Sequence, residues 1–335
     1  MLVLDYLKTT DQANPRLQLQ AEQYITLGYQ RLLSFEVGGM PGGFSLFGDP
    51  PPRTMLTAYG LMEFTDMSQV SFVDPALIER TANFLFQRQQ ADGSWQPQGL
   101  MDHGDYSALN SSLSATAYVV WALADAGYAN SDPVQRGVNS LQMQLTAYLT
   151  AQAQTEQSAS PLATPELQLD PYVAALVANA LIAAAPERAT AEIQQLVDQL
   201  LAGAATDDNG YYTWNSSMTT YMGGYGNVSN IETAAMTAIA LLRLGQHLDV
   251  AQGAIDSLIA QRDPNGMFYS TQTTVLALKA LLLAAEEGGA GGDATVTITL
   301  NGERVQTINV TDATSDVVQL ARFDDLKPAE LSAGA

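Results

Sequence analysis

Hydrophobic and polar positions along the chain sort into two alternating kinds of helical segment. The first kind is apolar nearly all round, rich in Ala and Leu with small Thr and Ser: Thr54–Thr65, Ser112–Ala124, Pro171–Ala184, Asn230–Leu244 and Thr271–Glu286. A helix with no polar face belongs inside a structure. Between these lie amphipathic segments, about Pro15–Ser34, Pro75–Gln90, Pro133–Gln152, Glu187–Ala202 and Asp249–Arg262. Their apolar residues fall at helical spacing, as Ile78, Ala82, Leu85 and Phe86 do, and leave an outer face to solvent.

The first four apolar segments start about 58–59 residues apart and the fifth follows after about 41. That period describes a repeat of helix pairs, one buried and one exposed. Several buried helices follow a glycine-aromatic turn: Gly42-Gly43-Phe44, Asp92-Gly93-Ser94-Trp95, Asn209-Gly210-Tyr211-Tyr212 and Asn265-Gly266-Met267-Phe268. Glycine supplies a positive φ, and the aromatic plugs a seam between neighbouring helices. Trp214 also reads as a plug, and Trp121 as core. An open solenoid leaves its concave face wet, so burial of one helix in every pair favours a closed ring. The expected architecture is mainly α, an (α/α)6 toroid. Leu2–Leu7 reads as the last turns of a sixth inner helix cut off upstream, with Met1 a cloning start or an internal cut, so that the chain is a fragment.

The period changes near the C-terminus. Gly288–Ala294 is a Gly-rich linker, and Thr295–Leu300 alternates at period two before the hairpin turn Asn301-Gly302. Arg304–Val310 returns with Val305 out of parity, which predicts a bulge near Gln306–Thr307, and Asp316–Phe323 reads as a third strand. The expected division is a toroid over 1–287, a linker over 288–294 and a partial β domain over 295–335.

Charge and composition narrow the function. Acids outnumber bases by 35 to 14 among 335 residues, a net charge of −21, with no Lys/Arg cluster to offset it. Such a surface repels phosphate backbones and anionic lipid, so nucleic acid is not an expected partner. No apolar run reaches the roughly 18–20 residues of a membrane helix, and no insertion by this chain is expected. Cysteine is absent, which excludes disulfides, thiolate metal sites and a cysteine nucleophile within these residues.

The usual chemistries of helical toroids find little support. Asp207-Asp208 precedes Asn209-Gly210 and reads as a turn cap, not as the acid cluster of a terpene cyclase. A prenyltransferase zinc site needs ligands that two histidines and no cysteine do not supply. Glycosidase carboxylate pairs must face a groove, whereas Glu63, Asp66 and Asp125 fall at helix ends. His247 reads as a helix-end residue near C-terminal carbonyls. Tyr211, Tyr212, Tyr221 and Tyr225 surround the Gly-rich loop Met222–Gly226, which either meets a partner or is merely mobile, and Ala153–Pro165 reads as a polar linker. His103 stands apart: it sits in the polar loop Gly99–Asn110, between the Trp95 plug and the helix from Ser112, with Asp102 and Asp105 beside it. A loop entering a buried helix faces the mouth of the ring. By itself this is either a functional imidazole or a plain surface histidine.

Leu4-Asp5-Tyr6-Leu7, Gly28-Tyr29-Gln30-Arg31, Gly43-Phe44-Ser45-Leu46-Phe47-Gly48, Leu56-Thr57-Ala58-Tyr59, Gln87-Arg88-Gln89 and Gln261-Arg262 occur in one order with the turns above. The run Gly266-Met267-Phe268-Tyr269-Ser270-Thr271-Gln272 closes the series and is its most specific element. Together they resemble the thioester-containing domain of the α2-macroglobulin and complement C3/C4 family, from about Leu2 to Glu287. The strands after Ala294 are similar to part of that family's neighbouring CUB-type β domain. Low charge density and absent disulfides look more like a bacterial member.

The resemblance implies an internal thioester between a Cys and a Gln in a Gly-Cys-x-Glu-Gln motif preceding the Leu-Asp-Tyr-Leu stretch, outside this chain. It implies an endopeptidase inhibitor in which bait cleavage exposes the thioester, which then captures the protease or a nearby surface in a single-use reaction. Eight residues on from Trp95 lies His103, where complement-like members carry a histidine that attacks the thioester; α2-macroglobulin has Asn there and transfers to amines. Expected partners are target proteases and neighbouring β domains, with an extracellular, periplasmic or cell-envelope parent, and neither cofactor nor metal. The alternatives are a toroidal lyase, hydrolase or cyclase, and a scaffold that never carried a thioester.

Overall fold

A computed structural model describes residues 15–97, 111–158, 169–185, 190–220, 223–263, 267–288, 294–300 and 303–310. The chain divides into two compact units, 1–284 and 285–335.

The first unit is built from helix pairs. In chain order these are α1 (Pro15–Leu33), α2 (Thr54–Ser68), α3 (Pro75–Gln87), α4 (Ser112–Leu123), α5 (Asp132–Ser158), α6 (Pro171–Ala184), α7 (Ala191–Ala202), α8 (Asn227–Leu244), α9 (Leu248–Ala260) and α10 (Thr271–Gly288). Even-numbered helices are the apolar ones. In α4 every residue from Ser114 to Leu123 is buried, and in α8 every residue from Ile231 to Leu242. Alanine on these faces lets backbones approach: Asn179 Nδ2 of α6 donates to Ala175 O of its own helix and across to Met236 O of α8, both at 2.8 Å. Odd-numbered helices bury one stripe, Leu77, Thr81, Ala82, Phe84 and Leu85 in α3 and Ile193, Leu196, Val197 and Leu200 in α7. Two of them, α3 and α7, start at side-chain caps. Asp74 accepts from Ala76 N at 3.0 Å with Pro75 behind it, and Thr190 accepts from Ile193 N at 3.4 Å, each cap contributing about 1 kcal/mol.

The inner helices pack in the order α2, α4, α6, α8. Helix α10 touches both ends of that series, through Thr273 to Glu232 of α8 at 2.8 Å and through Lys279 to Asp66 of α2 at 2.7 Å. Among the described residues five inner helices therefore close a cycle; the sixth expected from Leu2–Leu7 lies outside the described residues. The five run parallel: Tyr172 and Thr273 meet Glu232 near N-terminal ends, while Arg243 of α8 pairs with Asp125 beyond the C-terminal end of α4 at 3.2 Å.

Several local expectations are corrected. The helix starting at Asp132 runs to Ser158, so 153–158 are helix and not linker; 159–168 lie outside the described residues. A π turn, Ala124–Tyr128, follows α4, with Gly127 at φ 90, because glycine alone takes that conformation without strain. In the fourth repeat the deep plug is Trp214, fully buried, while Tyr211 and Tyr212 are half-buried. Between Tyr212–Thr213 (β2) and Ala205–Thr206 (β1) runs a two-residue antiparallel ladder. His247 is a helix-end residue, as expected, but it opens the next helix. It is the N-cap of α9, in left-handed conformation at φ 49, and Gly245 ends α8.

In the second unit β3 (Ala294–Leu300) and β4 (Glu303–Val310) form an antiparallel hairpin. Ile298 pairs with Gln306 and Thr299 with Arg304, which places the bulge at Val305, just ahead of the expected Gln306–Thr307. The third strand expected at Asp316–Phe323 lies outside the described residues, as does the Asn301-Gly302 turn.

Candidate functional site at the N-terminal ends of the inner helices

A repeated hydrogen bond fixes the turns that lead into the inner helices. Phe44 N donates to Thr57 Oγ1 at 3.0 Å, Trp95 N to Thr116 Oγ1 at 2.9 Å, and Phe268 N to Thr274 Oγ1 at 3.1 Å. Each time a threonine in the first turns of an inner helix takes the backbone N–H of the plug aromatic. The rings are buried, and the indoles also bond: Trp95 Nε1 to Leu85 O at 2.8 Å and Trp214 Nε1 to Leu200 O at 2.7 Å. Trp95 therefore pins α3 to α4, and Trp214 is anchored to α7. The preceding glycines are forced. Gly42 and Gly93 have φ of 80 and 82, and a Cβ on either would run into the backbone carbonyl of Arg80 or Arg136.

These turns set both ends of the segment carrying His103. Its upstream end is the Trp95 anchor; its downstream end is Ser111, whose hydroxyl caps α4 by accepting from Ser114 N at 3.1 Å. His103 itself, with Asp102 and Asp105, lies outside the described residues, as does Tyr221. Tyr225 is 77% exposed, and the turn before it is tightened by Thr220 N donating to Gly224 O at 2.7 Å.

The weighed carboxylates are structural. Asp207 Oδ1 accepts from Asn209 N at 2.9 Å and Tyr211 N at 3.0 Å, which holds its carboxyl below the usual range; it caps a turn as expected. Asp66 and Asp125 are not simply solvated helix ends, since each pairs with a cation from another inner helix, Lys279 and Arg243. Burial, and then the Asp66 charge, push the Glu63 carboxyl up. A groove of about 520 Å³ lies beside Gly39, Met40, Pro41, Asn83 and Phe84. Its arginines are engaged: Arg80 grips Glu36 at 2.7 and 2.9 Å, and Arg88 Cζ lies over the Phe84 ring, 4.9 Å from its centroid. No carboxylate lines it among the described residues. No group of three or more His, Asp or Glu side chains able to hold a metal occurs among the described residues, and no described helix is long and apolar enough to cross a membrane.

One group at this end went unnoticed in the sequence. Glu232 of α8 is fully buried, taking the Tyr172 hydroxyl of α6 on Oε2 at 3.0 Å and the Thr273 hydroxyl of α10 on Oε1 at 2.8 Å. Burial pushes its carboxyl up to about 7, against the pull of those two hydroxyls. Its signal was present in Asn230–Leu244, where Glu232 is a lone acid in a helix otherwise apolar on the faces that pack.

The chain is similar in sequence to known proteins. Residues 1–283 match the A-macroglobulin TED domain family. Ovostatin of Gallus gallus is 28% identical over 291 residues, which is 83% of this chain and 18% of ovostatin. Thioester-containing protein 1 allele S1 of Anopheles gambiae is 23% identical over 341 residues, spanning 100% of this chain and 23% of that protein. The chain thus spans less than a quarter of the length of these relatives. With the family matched across nearly the whole ring, the chain belongs to the A-macroglobulin TED domain family.

Proposed function

We propose that this chain is the thioester-domain scaffold of an α2-macroglobulin-like endopeptidase inhibitor that acts outside the cytoplasm, in the extracellular space or the cell envelope. The observation that carries the reading is the family match over residues 1–283, which spans the ring of paired helices. In this reading the thioester Cys and Gln come from outside residues 1–335, since the chain has no cysteine. Bait cleavage exposes the bond, and the chain supports a single acyl transfer, not turnover.

His103 is proposed as the nucleophile. Its imidazole nitrogen attacks the thioester carbonyl, the C–S bond breaks, and an acyl-imidazole forms with release of the cysteine thiolate. The thiolate takes the proton of an acceptor hydroxyl, whose oxygen displaces the imidazole to leave an ester. The strands from Ala294 are proposed as part of a CUB-type neighbouring domain of the parent. The test is the intact mass of a longer chain that includes the Gly-Cys-x-Glu-Gln motif, before and after methylamine, with thiol titration. A methylamine adduct with one newly titratable thiol supports covalent capture. A folded protein with neither refutes it and leaves a conformational scaffold.

A further inference from the structure

A carboxyl buried without a cation is expensive to ionise, and Glu232 is such a group. Its oxygens are bonded to hydroxyls on two other helices, so one side chain joins α6, α8 and α10 near their N-terminal ends. The bonding continues outward: Thr273 Oγ1 lies 2.7 Å from Ser270 Oγ, and Ser270 Oγ accepts from Thr273 N at 3.1 Å. This chain of hydroxyls suits either protonation state. When Glu232 is ionised, Tyr172 and Thr273 both donate to it. When it carries a proton, Thr273 still donates to Oε1, and the carboxyl O–H can point at the phenol oxygen of Tyr172, which accepts as well as donates.

Nothing charged faces the group among the described residues. On α8 the other ionisable side chain is Arg243, at the far end and paired with Asp125. From α6 come Tyr172 and the cap residue Asp170, whose oxygens are taken by Ser216 Oγ at 2.7 Å, Ser217 Oγ at 2.9 Å and two backbone N–H groups. From α10 come Thr273 and, further along, Lys279, held by Asp66, with Glu286 exposed at the opposite end. From α9, Asp249 is exposed and Asp256 half-exposed, and β2 brings Tyr212. Among the described residues, ionised Glu232 therefore rests on two neutral hydroxyls.

We propose that Glu232 is a proton-operated clasp, holding the N-terminal ends of α6, α8 and α10 tightly when its carboxyl carries a proton and less tightly when it is ionised. The inference stands on this geometry and is independent of any thioester chemistry. Its direction follows from linkage. The folded carboxyl sits at about 7 against an ordinary 4.5, so between those values the folded state holds a proton that the unfolded state has released. The stabilisation is complete below the unfolded value and is lost as pH rises through the folded one.

The test compares the unfolding equilibrium of the 335-residue chain with that of Glu232→Gln from pH 5 to pH 8. The wild-type folding constant should fall relative to the variant by up to about tenfold per pH unit, one proton's worth, within that window. The shift at Glu63 is common to both proteins and cancels. Isotope-edited infrared spectra supply a readout that a purely structural role would not move: a protonated-carboxyl band present at pH 5, fading as pH rises towards 8, and missing from Glu232→Gln. Should Glu232→Gln fail to fold, Tyr172→Phe, which removes one donor to the ionised form, should move the fading of that band to higher pH. Parallel pH curves for wild type and Glu232→Gln, or a carboxyl band absent throughout or unmoved by Tyr172→Phe, would overturn the clasp.

Discussion

Trp95 and Thr116 are joined by a 2.9 Å hydrogen bond from the tryptophan backbone N–H to the threonine hydroxyl, both residues being fully buried. That bond ties the turn before α4 to the helix it introduces. Thr116→Val keeps the shape and removes the acceptor, leaving a buried N–H unpaired at a cost of about 1–3 kcal/mol. Thr116→Ser should recover most of the loss. Urea midpoints of the two variants check this, and Thr57→Val, which frees Phe44 N in the same manner, should repeat the result.

Gly93 and Gly210 share nearly the same φ, 82 and 80, in equivalent turns, but differ in what surrounds them. A Cβ at Gly93 meets the Arg136 carbonyl, whereas one at Gly210 meets nothing within 4 Å. Gly210→Ala should therefore cost only the left-handed backbone term, about 1 kcal/mol. Gly93→Ala adds a backbone collision and should cost at least about twice as much. Thermal unfolding of the pair separates conformation from crowding.

Lys279 stands between the first and last described inner helices, 2.7 Å from Asp66, with both side chains about one-fifth exposed. Lys279→Met should destabilise by about 1–3 kcal/mol, between the values for exposed and fully buried pairs. It should also push the Glu63 carboxyl further up, because Lys279 opposes the burial and the Asp66 charge that raise it. The loss should accordingly be larger at pH 8 than at pH 4. Adding Asp66→Asn should return part of it, and the double-mutant cycle measures the coupling.

Glu36 gives the opposite pH sign. The Arg80 guanidinium bonds its carboxylate and holds the group below its ordinary value, helped by Gly42 N at 2.7 Å. This stabilisation is present above the unfolded value of about 4.5 and is lost as pH falls through the lower folded value. Arg80→Met should lower stability at pH 7 and flatten the acid limb between pH 5 and pH 3, as acid titrations of both proteins would register.

The ring was legible because burial leaves a mark on composition. Segments such as Pro171–Ala184 carry no polar face and have no alternative to the interior, so the inner and outer assignment followed directly. Bond partners left no such mark. Thr57 and Thr116 lie in segments whose composition marks them as interior, and both are buried, but their hydroxyls hold the plug aromatics. Tyr172 and Thr273 are far from Glu232 in sequence, and only the packing of neighbouring inner helices brings them to it. The end of α5 at Ser158 was missed because a solvated polar stretch reads alike as helix or linker. His103 was reached by its count from Trp95 and by resemblance, and lies outside the described residues.

The proposal that His103 directs acyl transfer is tested most directly by product partition. The chain carrying its thioester would be activated by a protease in the presence of glycerol and methylamine, as wild type and as His103→Asn. Hydroxylamine-labile esters are expected as the main wild-type products, with a shift to amides in His103→Asn and thiol release in both. An unchanged ratio of ester to amide would contradict the proposal.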